Sequence, residues 1–221
     1  DDLGILMDAT QSGICALPAA TRGYEHINRY WDRQMQVPAA KLMPGEVYVS
    51  YQGEMIVTVL GSCVAACIRD RVRGIGGMNH FMLPEQTEYS SGFGGDATRV
   101  ENRYGNWAME FLINEILKLG CDKRNLEIKI FGGGRVLDAV SDIGQRNIAF
   151  VKDFLRKESL QIAAEDVGSI YPRKVLYFSD TGAVKVRKLK TLRNETIVQR
   201  EASYRRSVNA EQQRSGDIEL F

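Results

Sequence analysis

Apolar residues recur along this chain with two different periods. In "GEVYVSYQGEMIVTVLG" Val47, Val49 and Tyr51 alternate with other residues, Gln52-Gly53 forms a turn, and Met55–Leu60 is an apolar, β-branched run. Both halves read as strands. Two more β-like runs, 63–69 and 75–83, flank the charged turn "DRVRG". "NLEIKIFGGG" reads as a strand ending in glycines, and "KVLYFSDTGAVKVRKL" as a hairpin turning at Ser179–Gly182. The helical period appears twice. "GNWAMEFLINEILKLG" places Trp107, Phe111, Leu112, Ile116 and Leu119 on one face, with Asn106 as N-cap and Gly120 at C′. "GQRNIAFVKDFLRKES" does the same with Ile148, Val151 and Leu155.

The ends of the chain lack these periods. Residues 1–44 carry no sustained repeat and are expected to be an extension, packed on the core where Tyr24, Tyr30 and Trp31 cluster. From about residue 191 to 221 the composition turns polar and reads as a mobile or docked tail. The span 45–190 is then the expected domain. Roughly eight strands and two main helices in mixed order predict an α+β domain, a layered α/β/α sandwich with mixed, largely antiparallel sheets.

Composition narrows the function classes. The chain has 221 residues, 44% of them hydrophobic, enough for a substantial core. A net charge of +1 gives no electrostatic footprint for nucleic acid or an anionic membrane. The local cluster Lys185, Arg187, Lys188 and Lys190 reads as a solvated strand edge. No run approaches the roughly 18 apolar residues of a membrane span, and no leader pattern opens the sequence. The four cysteines, Cys15, Cys63, Cys67 and Cys121, form neither a CxxC pair nor a disulfide framework. Free thiols without a leader suit a reducing cytoplasm. Two histidines without clustered acids argue against a zinc site, and no cofactor motif is present.

Candidate chemistry concentrates in "VTVLGSCVAACIRDRVRGIGGMNHFML", residues 57–83. If the arms pair around a two-residue loop at Arg71-Val72, facing residue numbers sum to 143. Asp70 then faces Arg73, and Cys63 faces His80 with Cβ atoms about 4.5–5.5 Å apart. A three-residue loop would turn His80 to the other face, and a bulge at Gly76-Gly77 would restore it. A free thiol has a pKa of about 8.5 and needs a neighbouring base to be a strong nucleophile. His80 supplies one, and Thr58 can orient its ring. Gly61-Ser62 breaks the strand before Cys63, where backbone N–H groups can hold an oxyanion and glycine admits a carbonyl closely. On these residues alone Cys63 is either a nucleophile or core filler, whereas Cys67, among Ala65, Ala66 and Ile68, is a packed core thiol.

Other features have plainer readings. "FGGGRVLD" lacks the GKS/T of a phosphate loop and reads as a close backbone approach beside the site, or a turn. His26 is structural, and Asn79 points away from His80 into structural hydrogen bonds. The Gly/Ser loop at 90–97 can line an entrance, and "GDIELF" can pack on its own domain or dock a partner.

"TVLGSCVAACIRD" followed by "GGMNHFMLP" closely resembles the CheD family, the chemoreceptor glutamine deamidases of bacterial and archaeal chemotaxis. "INRYWD", "KLMPGEVYVS", "KIFGGG", "IGQRNIAFVKDFL", "DVGSIYPRKVLYFSDTG" and "GDIELF" are similar to further segments of it. The resemblance implies a Cys-His-Thr site on a three-layered α/β/α domain, with Cys63 as nucleophile and His80 as base. Thr58 takes the threonine's place, although some members carry theirs one residue further from the cysteine. It implies conversion of receptor glutamine to glutamate through a thioester, without metal or organic cofactor. It also implies methyl-accepting chemoreceptors as substrates and a CheC-type phosphatase as a partner that binds and inhibits. Two alternatives stand beside it. One is a non-catalytic docking or regulatory partner of the phosphatase or receptor. The other is a different thiol acyl-transfer enzyme, of methylesterase or transglutaminase type.

Overall fold

The computed structural model describes residues 17–83, 96–136, 142–190 and 195–216. In chain order these form β1 (Asn28–Asp32), β2 (Val37–Lys41), β3 (Val47–Ser50), β4 (Met55–Leu60), β5 (Val64–Asp70), β6 (Ile75–Asn79), α1 (Asp96–Lys118), β7 (Leu126–Gly132), α2 (Ile143–Lys157), β8 (Ile162–Val167), β9 (Arg173–Phe178), β10 (Val184–Lys188) and α3 (Glu195–Gly216). The strands make two five-stranded sheets, ordered β1-β2-β4-β9-β10 and β3-β6-β5-β7-β8. Each sheet is antiparallel except for one parallel pair, β2 with β4 and β7 with β8. This is the expected α+β class with mixed sheets.

Side chains from both sheets share one core. Ile56, Leu60, Val175 and Tyr177 of the first sheet join the same buried cluster as Ala66, Ile68, Ile128 and Ile130 of the second. α1 lies against β3, β5 and β6, and α2 against β5. Alternation along β4 divides its residues. Met55 and Val57 join Ala39 in a small separate cluster, while Ile56 and Leu60 enter the main core. Thr58 falls on the main-core side. Among the described residues no helix is long and apolar enough to cross a membrane.

Four expectations need correction. The stretch expected to be an extension contains β1 and β2, which build the edge of the first sheet. "NRYWD" and "VPAAK" lack apolar alternation, so tertiary pairing rather than pattern makes them strands. The polar tail contains α3. The first helix begins at Asp96, well before the expected Asn106 cap. Its buried stripe runs through Ala108, Met109, Leu112, Ile113 and Ile116, leaving Trp107 half-exposed and stacked on Phe111.

The fourth correction concerns the β5–β6 hairpin. Asp70 pairs with Ile75 rather than Arg73, and Cys67 pairs with Met78, so facing numbers sum to 145, not 143. The connection is four residues, Arg71–Gly74, because the Asp70 carboxylate accepts the N–H groups of Val72 and Arg73 and its carbonyl accepts that of Gly74. A shift of two preserves parity. Cys63 and His80 become diagonal rather than direct neighbours, still on one face. The pairing inferred from sequence survives a wrong register for that reason.

The loop 90–97 lies largely outside the described residues, as do Cys15 and all of "GDIELF" after Gly216.

Candidate active site

The chain leaves the first sheet at the end of β4 and enters the second at β5, crossing through Gly61-Ser62-Cys63. A backbone that changes sheets has no ladder partner there, and its polar groups must be satisfied otherwise. The three carbonyls are held from one side. Gly134 N–H donates to Gly61 O and Gly133 N–H to Cys63 O, each at 2.7 Å. Asn147 on α2 donates to Ser62 O at 2.9 Å. Asn147 also accepts the Leu83 N–H at 2.9 Å, tying the bend to the chain beyond β6. With the carbonyls fixed, the N–H groups of Gly61, Ser62 and Cys63 all converge on one acceptor, the carboxylate of Glu201.

The glycine run after β7 makes this possible. A Cβ on Gly132 would lie 2.2 Å from Cys63 O, at a φ of +106° that L side chains rarely adopt. "FGGG" is thus the close backbone approach expected from the sequence. Gly61 serves the opposite side, since a Cβ there would sit 2.6 Å from a Glu201 carboxylate oxygen.

Thr58, Cys63 and His80 meet at this bend. His80 follows β6 and is buried, as are Thr58, Ser62 and Cys63. Thr58 Oγ1 donates to Leu42 O at 3.0 Å and lies 2.8 Å from His80 Nδ1. A hydroxyl has one proton, and Leu42 takes it, so Thr58 must accept from Nδ1–H. That assigns the ring tautomer. Nε2 carries the lone pair, is buried, and has no hydrogen-bond partner among the described residues. A ring nitrogen of His80, Cys63 Sγ and a Glu201 oxygen all lie within 4.8 Å of one another.

The electrostatics keep both reactive groups neutral in this arrangement. Burial pushes the Cys63 thiol well above its ordinary range, and the Glu201 charge and a thiol hydrogen bond to Glu201 push it further. Burial lowers His80 to about 3, helped by the nearby Arg200 charge. Cys67 is a buried core thiol raised by burial, as expected. Asn79 bonds Ala66 N–H and Ala108 O, away from His80. His26 is exposed, ahead of β1.

The spacing of Cys63, His80 and Glu201 is that of a metal site. However, each Glu201 oxygen already takes two donors, Gly61 and Cys63 N–H on Oε1 and Ser62 N–H and Oγ on Oε2. The Cys63 thiol donates to the same carboxylate, so Glu201 is engaged by five donors and this arrangement suits hydrogen bonding rather than coordination.

Two residues of the site escaped the sequence reading. Asn147 had a signal, being a lone polar residue within the buried α2 stripe of Ile143, Ile148, Val151 and Leu155. Glu201 had none, being one of three glutamates in a polar helix.

The family described as "CheD chemotactic sensory transduction" matches residues 82–188. Longer similarity comes from individual proteins. "Probable chemoreceptor glutamine deamidase CheD" of Halorhodospira halophila is 51% identical over 205 residues, 93% of this chain and 94% of its own. The protein of the same name from Saccharophagus degradans is 48% identical over 219 residues, 98% of this chain and its whole length. That from Methylobacillus flagellatus is 50% identical over 196 residues, 88% and 95% of the two chains. The chain belongs to the CheD family.

Proposed function

We propose that this protein is a cytoplasmic protein-glutamine deamidase that converts glutamine side chains of methyl-accepting chemoreceptors to glutamate. The observation that carries this reading is the relay from His80 Nδ1–H to Thr58 to the Leu42 carbonyl, which leaves Nε2 unprotonated on a ring that has a nitrogen within 4.8 Å of Cys63 Sγ. The names of the relatives support the substrate class.

In this mechanism His80 Nε2 takes the Cys63 proton and the thiolate attacks the amide carbon of the glutamine. The amide oxygen becomes an oxyanion that accepts N–H groups of the Gly61–Cys63 bend, each donor worth about 3 kcal/mol in the transition state. The imidazolium protonates the departing nitrogen, ammonia leaves, and a γ-glutamyl thioester remains. Neutral His80 then removes a proton from water, hydroxide adds to the thioester, and Cys63 leaves as thiol. Net, one amide and one water become one carboxylic acid and one ammonia. Thr58 fixes the tautomer throughout, and no step calls on a metal or organic cofactor. A CheC-type phosphatase is the proposed regulatory partner.

The test is purified receptor cytoplasmic fragment treated with wild-type protein or Cys63→Ala and read by peptide mass. Deamidation adds about 1 Da at glutamine, whereas transglutamination adds a whole amine. Wild-type protein should produce the shift and Cys63→Ala should not. A Cys63→Ala variant that still deamidates sinks the mechanism. No shift with the wild type favours the docking role.

A further inference from the structure

The active site just described is closed by the chain's own C-terminal helix. Cys63, Ser62 and His80 are each at most 1% exposed, and Glu201 of α3 lies against all three. Besides the Cys63 thiol hydrogen bond, Glu201 takes four hydrogen bonds in the bend, from Gly61 N–H at 2.8 Å, Cys63 N–H at 3.2 Å, Ser62 N–H at 2.8 Å and Ser62 Oγ at 2.7 Å. A glutamate side chain is what remains when a glutamine amide has been hydrolysed. The carboxylate therefore sits in the donors and against the thiol as a reaction product would. A glutamine amide fits less well, because its NH2 would meet two of the four donors.

We propose that α3 is an intramolecular plug that holds the deamidation site as a bound product mimic, and that the protein acts on receptors only when α3 has left. This rests on the deamidase reading above. The rest of the helix suits a releasable plug. Val198, Glu201, Tyr204 and Val208 recur at intervals of three or four and form one stripe. Val198 and Tyr204 pack partly buried on the main core, and Val208 is buried. The Tyr204 ring covers Gly45, and its hydroxyl bonds that of Tyr104. Beyond this stripe the sequence "ETIVQREASYRRSVNAEQQRSG" is polar, with mean hydropathy too low for a committed core helix. A receptor helix presenting glutamine competes for the same donors. Its apparent affinity is reduced by the fraction of molecules whose plug is out.

The plug also predicts an automodification. With Glu201→Gln the introduced amide lies beside Cys63. The thiolate forms a bond to its Cδ, ammonia leaves, and water hydrolyses the thioester, restoring glutamate at 201.

The test uses the full chain as wild type, Glu201→Ala, Val208→Asp and Glu201→Gln. Val208→Asp loosens the stripe away from the donors and leaves the site residues intact. Iodoacetamide labelling of Cys63, mapped by peptide mass, and ammonia release from receptor fragment are followed together. Glu201→Ala and Val208→Asp should each speed both by about 10-fold or more. Glu201→Gln should gain about 1 Da at position 201, and the same variant carrying Cys63→Ala should not. Labelling and turnover that stay at wild-type rates in both cooperatively folded variants overturn the plug and leave the deamidase reading standing. Faster labelling, with no ammonia from receptor and no mass gain at 201, overturns the deamidase reading and the proposal with it.

Discussion

Replacing Thr58 by valine removes one hydroxyl of the proposed machinery at nearly constant shape. Two buried groups lose their partner at once, His80 Nδ1–H and the Leu42 carbonyl. Each unsatisfied group costs about 1–3 kcal/mol, so the variant should lose about 2–6 kcal/mol of stability, a large share of the ~5–15 kcal/mol typical of a domain. The effect on turnover has a different origin. Without an acceptor at Nδ1 the ring proton is free to reside on Nε2, where it blocks proton transfer from Cys63. General base catalysis contributes about 10²–10⁴-fold, so deamidation should fall about 100-fold. Thr58→Ser keeps both hydrogen bonds and loses one methyl, costing about 0.8 kcal/mol and little rate. Urea midpoints give the stability, nitrogen NMR of the ring gives the tautomer, and ammonia release gives the rate. If valine leaves the proton on Nδ1 and turnover within about twofold of wild type, Thr58 does not set the tautomer and the argument fails.

Asn147→Leu should lose the ties to Ser62 O and Leu83 N–H; about 2–6 kcal/mol of stability and a lowered kcat at nearly unchanged KM are expected from melts and steady-state kinetics. Gly132→Ala places a Cβ 2.2 Å from Cys63 O at a positive φ, so the bend must shift, and soluble yield and turnover should both drop sharply. His80, ordinarily near 6.5, stays neutral down to about 3 in the folded protein. Between those values the unfolded chain binds a proton that the folded chain refuses, so stability falls by about 1.4 kcal/mol per unit as the pH drops. Denaturant titrations across this window should show that slope in the wild type and its loss in His80→Gln.

Much of this site could be read before any coordinates. The strand–bend–strand run around Cys63, the placing of His80 on the same face and the glycines after β7 each follow from local pattern, because turn chemistry and β alternation are short-range. The hairpin register did not follow. Asp70 decides it by capping its own loop with its carboxylate, and the sequence "DRVRG" accommodates two, three or four loop residues equally well. β1 and β2 were missed for another reason. "NRYWD" and "VPAAK" are strands because β4 offers an edge, a long-range fact with no local period. Glu201 lies farthest from legibility. Its partners Gly61 to Cys63 are about 140 residues away in sequence, and the helix that carries it has only a thin apolar stripe.

The location of the chemistry follows from the topology. β4 belongs to one sheet and β5 to the other, so the residues joining them cannot pair in either ladder. The glycine run after β7 and Asn147 satisfy the three carbonyls, which turns all three N–H groups to the opposite side. Buried N–H donors without an acceptor are costly, so this bend always demands an oxygen. Glu201 supplies it when α3 is docked, water supplies it when the helix is away, and in the proposed reaction the amide oxygen of the substrate does. The same demand that stabilises the closed arrangement is what makes the open one an oxyanion site. Closing it with a carboxylate also raises the Cys63 thiol and deprives it of its base, since the thiol hydrogen bond goes to Glu201 while Nε2 of His80 stays unpaired. Docking of α3 therefore blocks the substrate and suppresses the nucleophile through one contact.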